Sequence, residues 1–491
     1  MMEQSPRISQ SAQSYYDARS PTRLTFWRIR RSKRFTALCG GLICLALFAL
    51  PNLRANISWR EPIVDADPLD PLLFLSEITS PDAPSVVSES SIVVDSLDPA
   101  LFLSGKPTNS FRDNLRPDVQ YITSWPAGGW TNQVISVMNL VYLGIITDRV
   151  TVLPKFTATH IGYHRPGLAF GDVFDLPRLR KALGRQVLEW RDVKDEKSEI
   201  LDDLGCWSVW LSVSSESRPR GEAVTRSLKL DVSYTKAPAW VKMKPGYKHD
   251  QHATFWALSS LAFPSTRESS IVPAIPSPSH NVSLEPDEHM LCYDFLYYLA
   301  ALQPFEITRM DYSPAWRRAG TLMRWTPELE QLGDESVRRT LGVEGNEPTP
   351  LFISVHMRHG DFQGWCSKGF AADECFAPLS VVARRVREVQ DEILQRKGTE
   401  VTHIIATSDE KNTTWWGQVA EMGWKTPDHS QMQERYGGWD SVLIDAVIQS
   451  QGAGYVGTDR STMSRLAGRR VQDWRGGPIR FVKWGKPGAD D

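Results

Sequence analysis

A histidine, an arginine, a glycine and an aspartate fall within six residues in His356-Met357-Arg358-His359-Gly360-Asp361, directly after the apolar run 351–355. An apolar run of that length reads as a buried strand, so the cluster sits at its carboxyl end, where open α/β sheets place their ligands. Arginine offers a rigid, permanently charged fork that can hold two phosphate oxygens at once. Arg358 is therefore a candidate for neutralising a nucleoside diphosphate that gains charge as a glycosidic bond breaks, with no metal ion needed. A surface turn of mixed charge has the same composition, and spacing alone leaves the two readings even.

Three further segments have the same strand-end character. Gly457-Thr458-Asp459-Arg460-Ser461-Thr462 leads from a strand into a helix, and Ser461 or Thr462 can cap that helix or help its first amides hold an anion. Ala406-Thr407-Ser408-Asp409-Glu410 ends another strand, where the Asp409 carboxylate can accept hydrogen bonds from a purine or a ribose, or close a turn. Gly128-Gly129-Trp130-Thr131-Asn132-Gln133 combines glycines that let a backbone approach a ligand with neutral hydrogen-bonding side chains at a helix start. It matches neither the dinucleotide fingerprint nor the Walker loop. The one Asp-x-Asp, at Asp65-Ala66-Asp67, lies far upstream, which disfavours a diphosphate bridged to protein through a divalent ion. No Gly-x-Ser-x-Gly elbow or His-Glu-x-x-His helix is present.

The elements that must position these groups alternate. A strand over 121–123, a turn, a helix over 132–143 and a buried strand over 150–153 make a βαβ beginning. Strands over 351–355, 401–406 and 455–457 alternate with helices over 378–395, 440–451 and 461–470. The segment 172–347 between them fits no motif, although 289–302 reads as a helix. The expected fold is α/β, with two Rossmann-like domains facing a cleft.

Upstream of these domains, Arg23, Arg28, Arg30, Arg31, Lys33 and Arg34 precede an apolar run over 35–53, long enough to cross a bilayer as a signal anchor. A cleaved signal peptide is the alternative, disfavoured by the long leader and a poor cleavage site. The run divides the chain into a cytoplasmic tail (1–34), a transmembrane anchor (35–53) and a lumenal remainder. Residues 54–117, rich in Pro, Ser and Asp, read as a stem, within which LDPLLFLS (69–76) nearly repeats as LDPALFLS (97–104). The repeats are either docking segments or duplicated linker. Of six cysteines, Cys39 and Cys44 lie in the anchor; Cys206, Cys292, Cys366 and Cys375 suit two disulfides in an oxidising compartment. Three pairings are open, with Cys366 to Cys375 expected first and Cys206 to Cys292 possible. Sequons at Asn56, Asn281 and Asn412 fit a lumenal chain. With 56 basic and 58 acidic residues and a net charge of -2, nucleic acid is not an expected partner.

Val355 to Phe362 resembles the His-x-Arg-x-Gly-Asp donor motif of the protein O-fucosyltransferase superfamily, a GT-B group. Segments 128–133 and 150–154, Asp409 and the stretch 457–464 are similar to further motifs of that family, in the same order. The resemblance implies a GT-B-like fold, an acceptor-side domain over 118–345 and a nucleotide-sugar domain over 346–491. It implies transfer of fucose from GDP-fucose to a protein or glycan hydroxyl, with inversion and without a metal or other cofactor, in the Golgi or endoplasmic reticulum by a single-pass type II membrane protein. By it, Arg358 stabilises the leaving GDP, His356 and Asp409 contact the nucleoside, Asp361 braces the pocket, Ser461 and Thr462 hold the diphosphate, Gly128 and Gly129 line the donor site, and Asn132 lies near the acceptor hydroxyl. The family pattern is interrupted at Trp130-Thr131. Two alternatives stay open: a GT-B transferase using another nucleotide sugar, and an inactive lumenal carbohydrate-binding protein.

Overall fold

Short runs of apolar, often β-branched residues bounded by Gly, Pro and polar turns set the strands, and the computed structural model describes residues 97–162, 165–309, 312–430 and 434–491. The apolar run 35–53, the first repeat, Asp65-Ala66-Asp67 and Asn56 lie outside them. Among the described residues no helix is long and apolar enough to cross a membrane. In chain order the strands are β1 (Tyr121–Ser124), β2 (Val150–Leu153), β3 (Val187–Glu189), β4 (Asp202–Ser208), β5 (Leu230–Lys236), β6 (Ala253–Thr254), β7 (Met290–Tyr293), β8 (Leu299–Ala300), β9 (Phe352–Met357), β10 (His403–Ser408), β11 (Gly454–Thr458) and β12 (Ile479–Val482).

Six of them form one parallel sheet in the order β3-β2-β1-β7-β4-β5, and four form a second in the order β10-β9-β11-β12, also parallel. The fold is mixed α/β with parallel sheets, both of whose central strands are covered on two faces. Helix Trp130–Thr147 packs one face of the first sheet, burying Val134, Val137, Met138 and Val141. Helix Leu379–Lys397 covers the second through Val382, Val386, Val389 and Ile393.

Segment 289–302 is not a helix. Met290, Leu291, Cys292 and Tyr293 are all buried as β7, between β1 and β4 in the middle of the sheet, and Leu299–Ala300 is a further short strand. Four consecutive buried residues satisfy either period, and the neighbouring strands decide it. Cys292 is also bonded to Cys206 on adjacent β4, and Cys366 is bonded to Cys375.

The second repeat belongs to the folded body rather than to a free stem. Asp98 caps the turn Pro99–Leu101, Tyr121 Oη donates to the Phe102 carbonyl at 2.6 Å, and Leu103, Phe111 and Leu115 are buried with Trp190 and Val193. Part of the segment expected as stem, including Leu103, Phe111 and Leu115, is thus packed into the body. One core cluster joins the two halves: Trp316, Trp325 and Leu329 pack with Trp439, Leu443, Val447 and Leu466.

Candidate active site

Parallel pairing puts Thr407 of β10 and Gly457 of β11 level with His356 of β9. Arg358, Asp409 and Thr458 consequently emerge at one carboxyl edge. The Arg358 guanidinium is gripped on two sides: Nη2 lies 2.5 Å from Asp361 Oδ1, and Nη1 lies 2.5 Å from Asp409 Oδ2. It also stands 5.5 Å from the centre of the Phe362 ring. Its backbone N–H donates to Thr458 Oγ1 at 2.8 Å. With the side chain 29% exposed, the fork is oriented yet reachable from solvent. Gly360 is required here, because its φ of +30° and a Cβ only 2.1 Å from Asp409 Oδ2 would both penalise a side chain.

His356 is fully enclosed, its Nδ1 2.7 Å from Ser464 Oγ. Burial first, then the neighbouring Arg358 and His359, drive its pKa down to about 3, so the ring is neutral at physiological pH. Ser464 Oγ also accepts the Thr458 N–H at 3.0 Å, which ties β11 to the following helix Thr462–Arg475. Ser461 caps that helix by accepting the Ser464 N–H, and its side chain is buried. Thr462 Oγ1 donates to Asn132 Oδ1 at 2.9 Å and lies 2.7 Å from Thr131 Oγ1.

Asn132 is thus brought to the second sheet's edge from the first half, at the start of helix Trp130–Thr147. Gly128 makes the preceding turn with φ +84°, and Gly129 flanks the helix. Gln133 points inward and clamps the Gly128 and Thr157 carbonyls, each at 2.8 Å. The residues Trp130 and Thr131, which interrupt the family pattern, have separate packing roles: Trp130 stacks on Trp325 within the first half at 6.1 Å, and Thr131 reaches across to Thr462 of the second.

Several groups at this edge were not singled out from sequence. His359 Nδ1 lies 2.7 Å from Glu410 Oε2, and the imidazole stacks on Phe376 at 4.4 Å. Glu410 follows Asp409 directly, and that adjacency was the available signal. Phe376 and Trp484 join His356, Arg358, His359 and Thr458 around a pocket of about 350 Å³, mouth included. Nothing in the sequence ties Trp484 to the motif at 356–361. Among the described residues one group could hold a metal ion, Asp203, Asp231 and His280, at the amino ends of β4 and β5 rather than at the carboxyl edge. Asn281 and Asn412 are exposed.

Residues 121–472 match the family model for GDP-fucose protein O-fucosyltransferases, and that span contains every element of the edge except Trp484. The chain belongs to the GDP-fucose protein O-fucosyltransferase family. It is a glycosyltransferase. Among solved structures, POFUT1 in complex with GDP-fucose is similar at 14% identity and a TM-score of 0.44, over 74% of this chain and 98% of that one. POFUT1 in complex with GDP gives 15% and 0.44, over 74% and 98%. The fucosyltransferase NodZ from Bradyrhizobium gives 12% and 0.35, over 71% and 93%. No curated protein matches the chain.

Proposed function

We propose that this O-fucosyltransferase family member transfers fucose from GDP-fucose to an acceptor hydroxyl, inverting the anomeric carbon and using Arg358 in place of a divalent ion. The observation that carries the proposal is the placement of Arg358, an oriented, partly exposed guanidinium at a strand's carboxyl end inside the family's matched span. As the hydroxyl oxygen bonds to the anomeric carbon, the bond to the β-phosphate oxygen breaks with its electron pair going to GDP, and the hydroxyl proton is released to solvent. A fixed cation beside that oxygen stabilises the charge where it develops. In the free protein Asp361 and Asp409 hold the fork in place, and incoming phosphate oxygens take over part of that role.

In this reading Asn132 lies by the acceptor hydroxyl, while Thr462 and the first amides of helix Thr462–Arg475 face the diphosphate. Ser461 acts through the helix cap, and His356 supports the nucleoside side of the pocket as a neutral ring. Gly128 and Gly129 give the Asn132 helix its tight approach. We further place the enzyme in the Golgi or endoplasmic reticulum, lumenal and held by residues 35–53 as a type II anchor, with a GT-B arrangement of its two sheets. The disulfides at Cys206–Cys292 and Cys366–Cys375 support an oxidising compartment.

A calorimetric donor panel with chelator present tests the donor. GDP-fucose and GDP are expected to bind at micromolar strength, and GDP-mannose and UDP-sugars at least tenfold more weakly. Tighter binding of a UDP-sugar overturns the assignment.

A further inference from the structure

A second and larger concavity, about 980 Å³ with its mouth included, opens in the first half at the carboxyl ends of β2 and β3. Its wall includes the loop 155–159, and that loop is bonded to the segment carrying Asn132. Thr159 Oγ1 donates to the Gly128 carbonyl at 2.6 Å, and the Thr157 N–H donates to Gln133 Oε1 at 2.8 Å. Arg165, on the same wall, reaches the second half by donating to the Gly437 carbonyl at 3.1 Å. The concavity therefore adjoins the residues that join the two halves, one hydrogen-bonded step from Asn132.

Its chemistry is polar but electrically compensated. The five basic side chains on its wall, Lys155, Arg165, Arg191, Lys194 and Lys229, each meet a carboxylate at 2.6 to 3.2 Å. A phosphorylated or carboxylated ligand would have to compete with those partners, so the wall offers an anion little net attraction. Hydroxyls of Thr157, Thr159, Ser198 and Ser227 also line it, each donating to a protein oxygen; Ser198 Oγ also accepts the Ile200 N–H, and the other three keep their lone pairs to accept from a ligand. A concavity receives a small ligand or a single chain, whereas a folded protein domain needs roughly 800 Å² of broad surface on each partner.

Resting on the fucosyl-transfer reading above, we propose that this pocket is an acceptor subsite for a neutral, hydroxyl-rich ligand, a glycan chain rather than an acidic saccharide or the face of a folded protein. The geometry gives a direct way to block it. Ala223 and Ser227 are exposed at the mouth, on the short helix Glu222–Ser227, and lie outside the Arg358 edge.

The test uses the full chain with GDP-fucose and three acceptor probes: neutral galacto-oligosaccharides, oligogalacturonides that differ from them by a carboxylate on each sugar, and a Ser/Thr-bearing disulfide-bonded peptide domain. Transfer is followed as fucosylated product, and GDP-fucose binding is measured separately by calorimetry. Neutral oligosaccharides are expected to be the preferred acceptors by at least tenfold over their acidic counterparts. Ala223→Trp and, independently, Ser227→Trp should raise the acceptor KM at least tenfold while GDP-fucose affinity is unchanged. Equal or better use of the oligogalacturonides or of the peptide domain overturns the proposal. So does an unchanged acceptor KM in both tryptophan variants, or no use of the neutral probes by protein that still binds GDP-fucose. Loss of GDP-fucose binding in the unmodified protein is a different result, and it removes the underlying transferase reading instead.

Discussion

Arg358 is held by two carboxylates, Asp361 and Asp409, and Gly360, directly before the first of them in sequence, is what lets the second come close. Gly360→Ala places a methyl group where Asp409 Oδ2 now lies, at a positive φ, which costs about 1 to 3 kcal/mol locally. Asp409 must withdraw, and the guanidinium loses its orientation. We predict a loss of tenfold or more in kcat/KM for Gly360→Ala, with a melting temperature that falls by only a few degrees; wild-type turnover in the variant would refute this. His356 carries a separate, pH-dependent consequence. Its folded pKa lies below the ordinary histidine value, so between about pH 6.5 and 3 the unfolded chain binds the extra proton. Stability from this residue is present above pH 6.5 and is lost as pH falls, by about 2 kcal/mol at pH 5. Denaturant titrations of wild type and His356→Asn at pH 7.5 and 5 check it: the variant should show the smaller fall. An equal fall in both would mean the ring is not the titrating group.

Elements at the two ends of the chain were legible from sequence, because strand 150–153 and the alternation after residue 350 each have one clear period and punctuated ends. The middle was not. β3, β4 and β5 are short or polar in part, and β7 carries four buried residues whose helical or extended state only their neighbours decide. The Arg358, Asp409 and Gly457 segments were legible for the same reason, since strand ends in a parallel sheet share an edge. Ser464 and Trp484 were not, because their roles depend on how a helix and the C-terminal loop fold back over that edge. The buried β7 also explains why its cysteine matters. The Cys206–Cys292 bond closes an 86-residue separation, against 9 for Cys366–Cys375, so on chain entropy it contributes about 4 to 5 kcal/mol compared with about 2.5. Replacing the first pair by serine should lower the melting temperature clearly more than replacing the second. The reverse order would show that the short loop by Phe376 carries the larger share.

Between the two halves, contacts are aromatic and few of them are ionic. Arg470 is buried 4.2 Å over Trp325 and 5.7 Å from Phe174, with Trp474 at 5.5 Å. Trp474 Nε1 donates to the Thr321 carbonyl at 2.9 Å, and Trp325 Nε1 to Ser450 Oγ at 2.9 Å. This shared core should make the described body unfold in one transition. Arg470→Ala removes a desolvated cation from three rings and leaves a cavity, at a cost of about 3 kcal/mol. Calorimetry of that variant is expected to show a lower midpoint and a broadened or split endotherm. An endotherm identical to wild type would mean the cage does not join the halves. The same junction carries Asn132 to Thr462, so the alignment of acceptor and donor groups depends on a packed core rather than on the site alone.

One guanidinium, Arg358, does the work of a divalent ion in the proposed transfer. The direct measurement is the rate of fucose transfer from GDP-fucose with excess chelator, comparing wild type, Arg358→Lys and Arg358→Ala. Wild type should keep its full rate without metal, lysine should retain a small fraction because it lacks the fork, and alanine should lose at least a thousandfold, about 4 kcal/mol of transition-state stabilisation. A wild-type rate that collapses with chelator and returns with magnesium or manganese, or an alanine variant that transfers fucose at the wild-type rate, would contradict it.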